Sequence, residues 1–154
     1  MNYDIETLTK IATEFREALQ LEISSRPFVV NELKNFPSGS CDFASKLLSL
    51  YLSSIGLSDV KLVFAARPNP EDGSDYRSQC HVWILVGEKI IMDVTGSQFN
   101  DCFTDVIVSE NSEFHSTFSA HERRDVIKND PDWIGEGDEN RFFSRLMLRL
   151  GVVA

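Results

Sequence analysis

The chain of 154 residues carries a formal net charge of −9, from 24 acidic and 15 basic residues. A chain of this length can bury a full core, and 42% hydrophobic residues excludes wholesale disorder, so residues 1–154 are expected to form a single domain. Its basic residues are scattered, and the one adjacent pair, Arg123–Arg124, lies between acids, which argues against a nucleic-acid partner.

No stretch approaches the roughly 18 apolar residues of a membrane helix, so no membrane partner is expected. Met1–Glu14 mixes acids with apolar residues and lacks the basic start and apolar run of a secretory leader. Three cysteines, Cys41, Cys80 and Cys102, cannot all pair within one chain. The expected location is therefore the reducing cytoplasm, with export by a signal-less route left open.

In chain order, Ile5 to Leu21 places Ile5, Leu8, Ile11, Ala12, Phe15, Ala18 and Leu19 on one helical stripe. Arg26–Pro27 marks its end, because the residue before proline avoids the helical region. Asn31 to Phe36 reads as a short helix or turn, and Pro37-Ser38-Gly39-Ser40 as a loop. A second helix begins at Cys41, presents Ala44, Leu47, Leu48, Tyr51, Leu52 and Ile55, and stops at Gly56. Its stripe of large residues predicts the central buried helix. Strands are expected at Val60 to Ala66, Gln79 to Val86, Lys89 to Thr95 and Asp105 to Ser109, with a fifth at Phe114 to Phe118. Arg67 to Arg77 reads as an exposed loop. Ser119-Ala120-His121-Glu122 has the spacing of a helix capping box, and Asp138 is placed to cap a last helix carrying Phe142, Phe143, Leu146, Met147 and Leu150. Helices, an antiparallel meander and helices again define an α+β domain.

The chemistry-bearing residues are Cys41, His81 and Asp93. A thiol attacks a carbonyl only as thiolate, and the positive end of a helix and a neighbouring imidazolium both favour that form. Cys41 opens the most apolar helix behind a loop of small residues, where first-turn N–H groups lack helical acceptors and can hold an oxyanion. His81 lies on a strand whose alternation puts it on one face with Trp83 and Leu85. Asp93 stands among apolar residues on the next strand, and a carboxylate so placed needs a partner. It would fix the tautomer of His81 and support its charged form.

Register decides whether these two meet. A two-residue turn at Gly87-Glu88 sets His81 opposite Val94 and turns Asp93 away. A three- or five-residue connection, or a bulge, is needed, and is expected to bring His81 opposite Asp93.

His81-Val82-Trp83 followed by Asp93-Val94-Thr95, with Gly39-Ser40-Cys41 at a helix start, resembles the transglutaminase-like branch of papain-fold cysteine proteases. The likeness spans about Phe36 to Phe99 and agrees in the chain order Cys, His, Asp. It departs in having Asp42 where many members carry an aromatic residue after the cysteine. The resemblance implies a papain/transglutaminase-like core with Cys41 as nucleophile, His81 as general base and acid, Asp93 as orienter and Trp83 packed beside the site. It also implies a protein or peptide substrate and no cofactor. Ser40, Gln79 and Gln98 are further candidates for the oxyanion or substrate side.

Three rival readings were weighed. A zinc site from Cys41, Cys80, His81 and Cys102 is disfavoured because Cys80 and His81 point to opposite faces of one strand, so no metal is expected. The acidic charge admits a catalytically silent inhibitor or immunity-type partner of a basic protein. A small-molecule acyltransferase would need a deep apolar pocket for its acyl donor. His115 and His121 are expected on the surface, and Trp133 in tail packing.

Overall fold

In a computed structural model of the chain, residues 3–26, 30–71, 79–125 and 137–152 are described. They form an α+β fold of four helices and one five-stranded antiparallel sheet. Helix α1 spans Ile5–Ser25, α2 Cys41–Ser54, α3 Glu113–Ser116 and α4 Asp138–Arg149. Strands β1 to β5 are Val60–Arg67, Gln79–Val86, Ile90–Asp93, Ile107–Ser109 and Ser119–Asp125, in the sheet order β4-β3-β2-β1-β5. Two 3-10 turns occur, at Asn31–Leu33 and Gly96–Gln98.

Local chemistry accounts for the helix ends. Asp4 caps α1 by accepting from the Glu6 N–H, and the helix runs on to Arg26, next to proline. Ile55 closes α2, and Gly56 follows with φ +96° as a left-handed residue past the helix end. Gly137, with φ +69°, holds the N-cap of α4, so Asp138 is the first helical residue rather than the cap expected.

The sheet has two unlike faces. Leu62, Val82, Ile84, Val86 and Met92 pack with the stripes of α1, α2 and α4 into the main core. Val63, Ala65, Trp83 and Leu85 form a smaller second core under Phe118, with Phe99 and Phe114 against it. Burial from both sides explains why β2 reads as a nearly continuous apolar run.

Two expectations fail after Ser109, and a third at Arg67. Phe114 to Phe118 is not a strand: Ser112 caps the short helix α3 there, accepting from the His115 N–H. Ser119-Ala120-His121-Glu122 is not a helix start but the beginning of the edge strand β5. Pairing along β1 outweighs the local capping signal, and register skips at His121, since Phe64 pairs with Glu122 and Ala65 with Ala120. The exposed charges of β5, Glu122 to Asp125, suit an edge that must not recruit another strand. Arg67 belongs to β1 and is buried, not part of an exposed loop. Its guanidinium bonds Asp101 twice, Gln79 and Thr117, and lies 4.2 Å from the Phe118 ring centre. Trp133 and most of the 67–77 segment lie outside the described residues.

Candidate functional site

The site begins at the β2–β3 turn. Gly87 and Glu88 both adopt left-handed backbone, with φ +63° and +62°, and the Lys89 N–H donates to the Val86 carbonyl. The ladder then resumes with Val86 opposite Ile90, so the connection is three residues long. The extra residue inverts the faces of β3 relative to a two-residue turn and puts Asp93 on the side of His81. The pairing is diagonal, not direct: continuing the observed register sets Asp93 opposite Trp83 and His81 opposite Thr95, two residues past the end of β3. The direct opposition expected from the sequence is corrected accordingly, and diagonal neighbours are within reach of a histidine.

His81 Nε2 lies 2.7 Å from Asp93 Oδ2, with 1% of His81 and 2% of Asp93 exposed. The other carboxylate oxygen, Oδ1, accepts from the Thr95 N–H at 2.9 Å and its hydroxyl at 3.4 Å. Arg16 of α1 donates to the Val94 carbonyl and so ties down the chain between them. Gly96 closes in from behind: a Cβ there would sit 3.1 Å from Asp93 Oδ2 and 3.1 Å from Cys102 Sγ.

The remaining nitrogen, His81 Nδ1, faces Gln98, whose Nε2 is 3.3 Å away. Gln98 Oε1 accepts from the Gly39 N–H at 3.4 Å, which turns its amide nitrogen toward the imidazole. In the neutral ring this leaves Nδ1 as acceptor and Nε2–H as donor to Asp93. The same loop leads into α2. The Ser45 hydroxyl, one turn after Cys41, donates to the Val82 carbonyl next to His81. Cys41 is half-buried at the start of α2, near enough to His81 to favour its charged ring.

Electrostatics follow from burial and pairing. Burial disfavours the His81 cation, but the Asp93 charge and hydrogen bond, with a smaller contribution from Cys41, raise the ring to about 9. Burial likewise opposes the Asp93 anion, and its two histidine partners overcome this and hold the carboxyl well below its usual range. Burial pushes the Cys102 thiol up, away from reactivity. Cys41 and Cys102 are not in disulfides.

The second partner of Asp93 is His115, expected at the surface and found buried, 4% exposed. Its Nε2 lies 2.7 Å from the same Oδ2, and its Nδ1 lies 2.6 Å from Ser112 Oγ. Sequence reasoning missed it because α3 was read as a strand. Only Phe114 on its N-terminal side is apolar, and Ser116 and Thr117 follow, so no local pattern marks His115 as buried.

The other candidates are placed as follows. Trp83 packs beside both imidazoles, its ring centre 5.6 Å from His81 and 4.6 Å from His115. The Ser40 side chain is fully buried and donates to the Glu32 and Ser38 carbonyls, which fixes the loop rather than facing the imidazole. Gln79 accepts from Arg67 at the wall of a cleft of about 340 Å³ also lined by Glu71, Asp101 and the exposed Phe103. His121 is exposed on β5.

Among the described residues, the group compact enough to hold a metal is His81, Asp93 and His115, with ligand atoms within 4.8 Å of one another, and it contains no cysteine. Zinc bonds of about 2.0–2.2 Å at tetrahedral angles set neighbouring donor atoms roughly 3.3 Å apart. Oδ2 is instead 2.7 Å from each nitrogen, the spacing of a charge-assisted hydrogen bond. The geometry is that of two imidazoles sharing a carboxylate.

No protein-family model matches the chain, and neither a curated protein nor a solved structure is similar to it. Among the described residues no helix is long and apolar enough to cross a membrane.

Proposed function

We propose that the chain is a thiol-dependent hydrolase or acyl transferase acting on an amide-type bond, of the transglutaminase-like kind that its His-x-Trp and Asp-x-Thr segments resemble. The observation that carries this reading is the buried His81–Asp93 pair at 2.7 Å, with Nε2 committed to the carboxylate and Nδ1 turned toward the start of α2. Gln98 links Nδ1 to Gly39 in the loop that leads into Cys41, which supports the thiol as the group this nitrogen serves.

In the proposed reaction, His81 Nδ1 takes the Cys41 proton and the sulfur attacks the carbonyl carbon. First-turn N–H groups of α2 hold the oxyanion. The C–N bond breaks as His81 returns the proton to the leaving amine, and a thioester remains on Cys41. Water, deprotonated by His81, releases the acid and restores the thiol; an amine in place of water gives acyl transfer. Gln98 shares Nδ1 with the thiol and would yield it as the substrate binds. The cleft at Gln79, two residues along β2 from His81, offers Glu71, Asp101 and Phe103 to a protein or peptide substrate. Free thiols fit a reducing, cytoplasmic setting.

The test is iodoacetamide labelling of Cys41 as a function of pH. Labelling at neutral pH is expected to exceed that of an ordinary thiol and to drop in His81→Ala. A rate equal to that of free cysteine, and indifferent to His81→Ala, would sink the reading and favour a silent binding protein.

A further inference from the structure

The Asp93 carboxylate has more partners than a three-residue site requires. Thr95 supplies two donors to Oδ1, and two separate imidazoles converge on Oδ2. The second imidazole is itself anchored by Ser112. Ser112 Oγ accepts from the His115 backbone N–H at 3.2 Å, so its single proton is free to go to His115 Nδ1, 2.6 Å away. Nδ1 is then an acceptor, the ring proton resides on Nε2, and Nε2–H points at Asp93.

We propose that His115, oriented by Ser112, is a positioning residue of the thiol site: it donates to Asp93 Oδ2 and so holds the carboxylate ionised and aimed at His81. The inference rests on the reading of Cys41, His81 and Asp93 given above.

Two observations support it. With His81, Asp93 and His115 each 4% exposed or less, bulk water cannot replace a lost donor. Gly96 leaves Oδ2 little room to shift, since a Cβ there would stand only 3.1 Å from it. The four-residue helix α3 acquires a purpose here, since its cap serine and the ligand of Asp93 are joined by one hydroxyl.

The charged and titratable groups around the carboxylate come from several elements. His81 arrives from β2, His115 from α3 and Cys102 from the segment after the second 3-10 turn. Cys41 acts on His81 from α2, and Arg16 of α1 binds the adjoining Val94 carbonyl. Removing the His115 donor takes away one of the interactions that stabilise the Asp93 anion, so Asp93 becomes easier to protonate.

The experiment compares wild type, His115→Leu and His115→Gln in the full chain. Leucine keeps bulk without a donor; glutamine restores an N–H of similar reach. Two readouts are followed against pH: the side-chain carboxyl 13C shift of Asp93 and the rate of Cys41 alkylation. In His115→Leu the Asp93 midpoint is expected to move to higher pH. Alkylation at pH 7 is expected to fall about tenfold, the scale on which partners that orient a reactive imidazole act. His115→Gln should recover most of both. An Asp93 titration unchanged in His115→Leu, or a glutamine variant no better than leucine, reduces His115 to packing and overturns the inference. If His115→Leu fails to fold, Ser112→Ala replaces it, with the same shift expected and the same null result fatal. The carboxyl readout does not depend on thiol reactivity. If His81→Ala leaves wild-type labelling untouched while the Asp93 midpoint still moves, the enzymatic reading fails and the His115 contact stands as a support of Asp93 alone.

Discussion

The His81–Asp93 pair should leave a signature in stability as well as reactivity. His81 is raised from 6.5 to about 9 in the folded chain. Between these values the folded state holds a proton that the unfolded state has released, so stability declines as pH rises, by about 1.4 kcal/mol per unit at most. The contribution is fully present below about pH 6.5 and is lost through pH 9, which amounts to roughly 3 kcal/mol for a shift of this size. Urea midpoints measured at intervals from pH 6 to pH 9.5 provide the assay. The reference is His81→Gln, which cannot titrate and should lose this component of the slope. Parallel wild-type and His81→Gln curves would show that the ring gains no proton affinity on folding. They would refute the argument that Asp93 is an ionised partner.

Other consequences are independent of that pair. Leu48 is almost fully buried on α2, and Leu48→Ala should cost about 2–5 kcal/mol, read as a lower urea midpoint at unchanged slope. Gly96→Ala forces a methyl against Asp93 Oδ2 and Cys102 Sγ. A loss of about 1–3 kcal/mol is expected, together with slower Cys41 labelling, because the carboxylate must give way. Glu22 of α1 is buried and bonded to Arg145 and Arg149 of α4, at 2.9 and 2.5 Å. Arg145→Ala with Arg149→Ala strands that carboxylate and should cost about 3 kcal/mol at pH 7, the low end for a broken buried pair since both guanidiniums touch water. Two arginine partners outweigh burial and lower the Glu22 carboxyl. In wild type their stabilisation is therefore present above the ordinary carboxylate range and disappears as pH falls through the depressed value. Chemical denaturation of the double variant at pH 7 and pH 3 checks the sign: its deficit should shrink in acid.

Where apolar period and punctuation agree, the elements were legible. The stripes of α1 and α2, the stop at Gly56, the apolar run of β2 and the last helix emerge from local rules, because each is dominated by burial of one face. Cys41 stood out by its place at a helix start, and His81 and Asp93 because each interrupts an apolar strand. What local rules missed lies after Ser109, where β5 is recruited by β1 against its own capping signal and α3 forms where aromatic alternation suggested a strand. Arg67 was misread because its burial depends on Asp101, Gln79 and Thr117, which are distant in sequence.

By itself the amino-acid order determined the α+β class, the helices that face the core and the identity of three candidate site residues. Tertiary structure alone decided that one surplus residue at Lys89 turns Asp93 toward His81, and that a histidine 22 positions further on completes its hydrogen bonds. The reason is physical: periodicity encodes which face is buried, whereas the meeting of polar groups depends on register and on segments that acquire their shape only by packing against others.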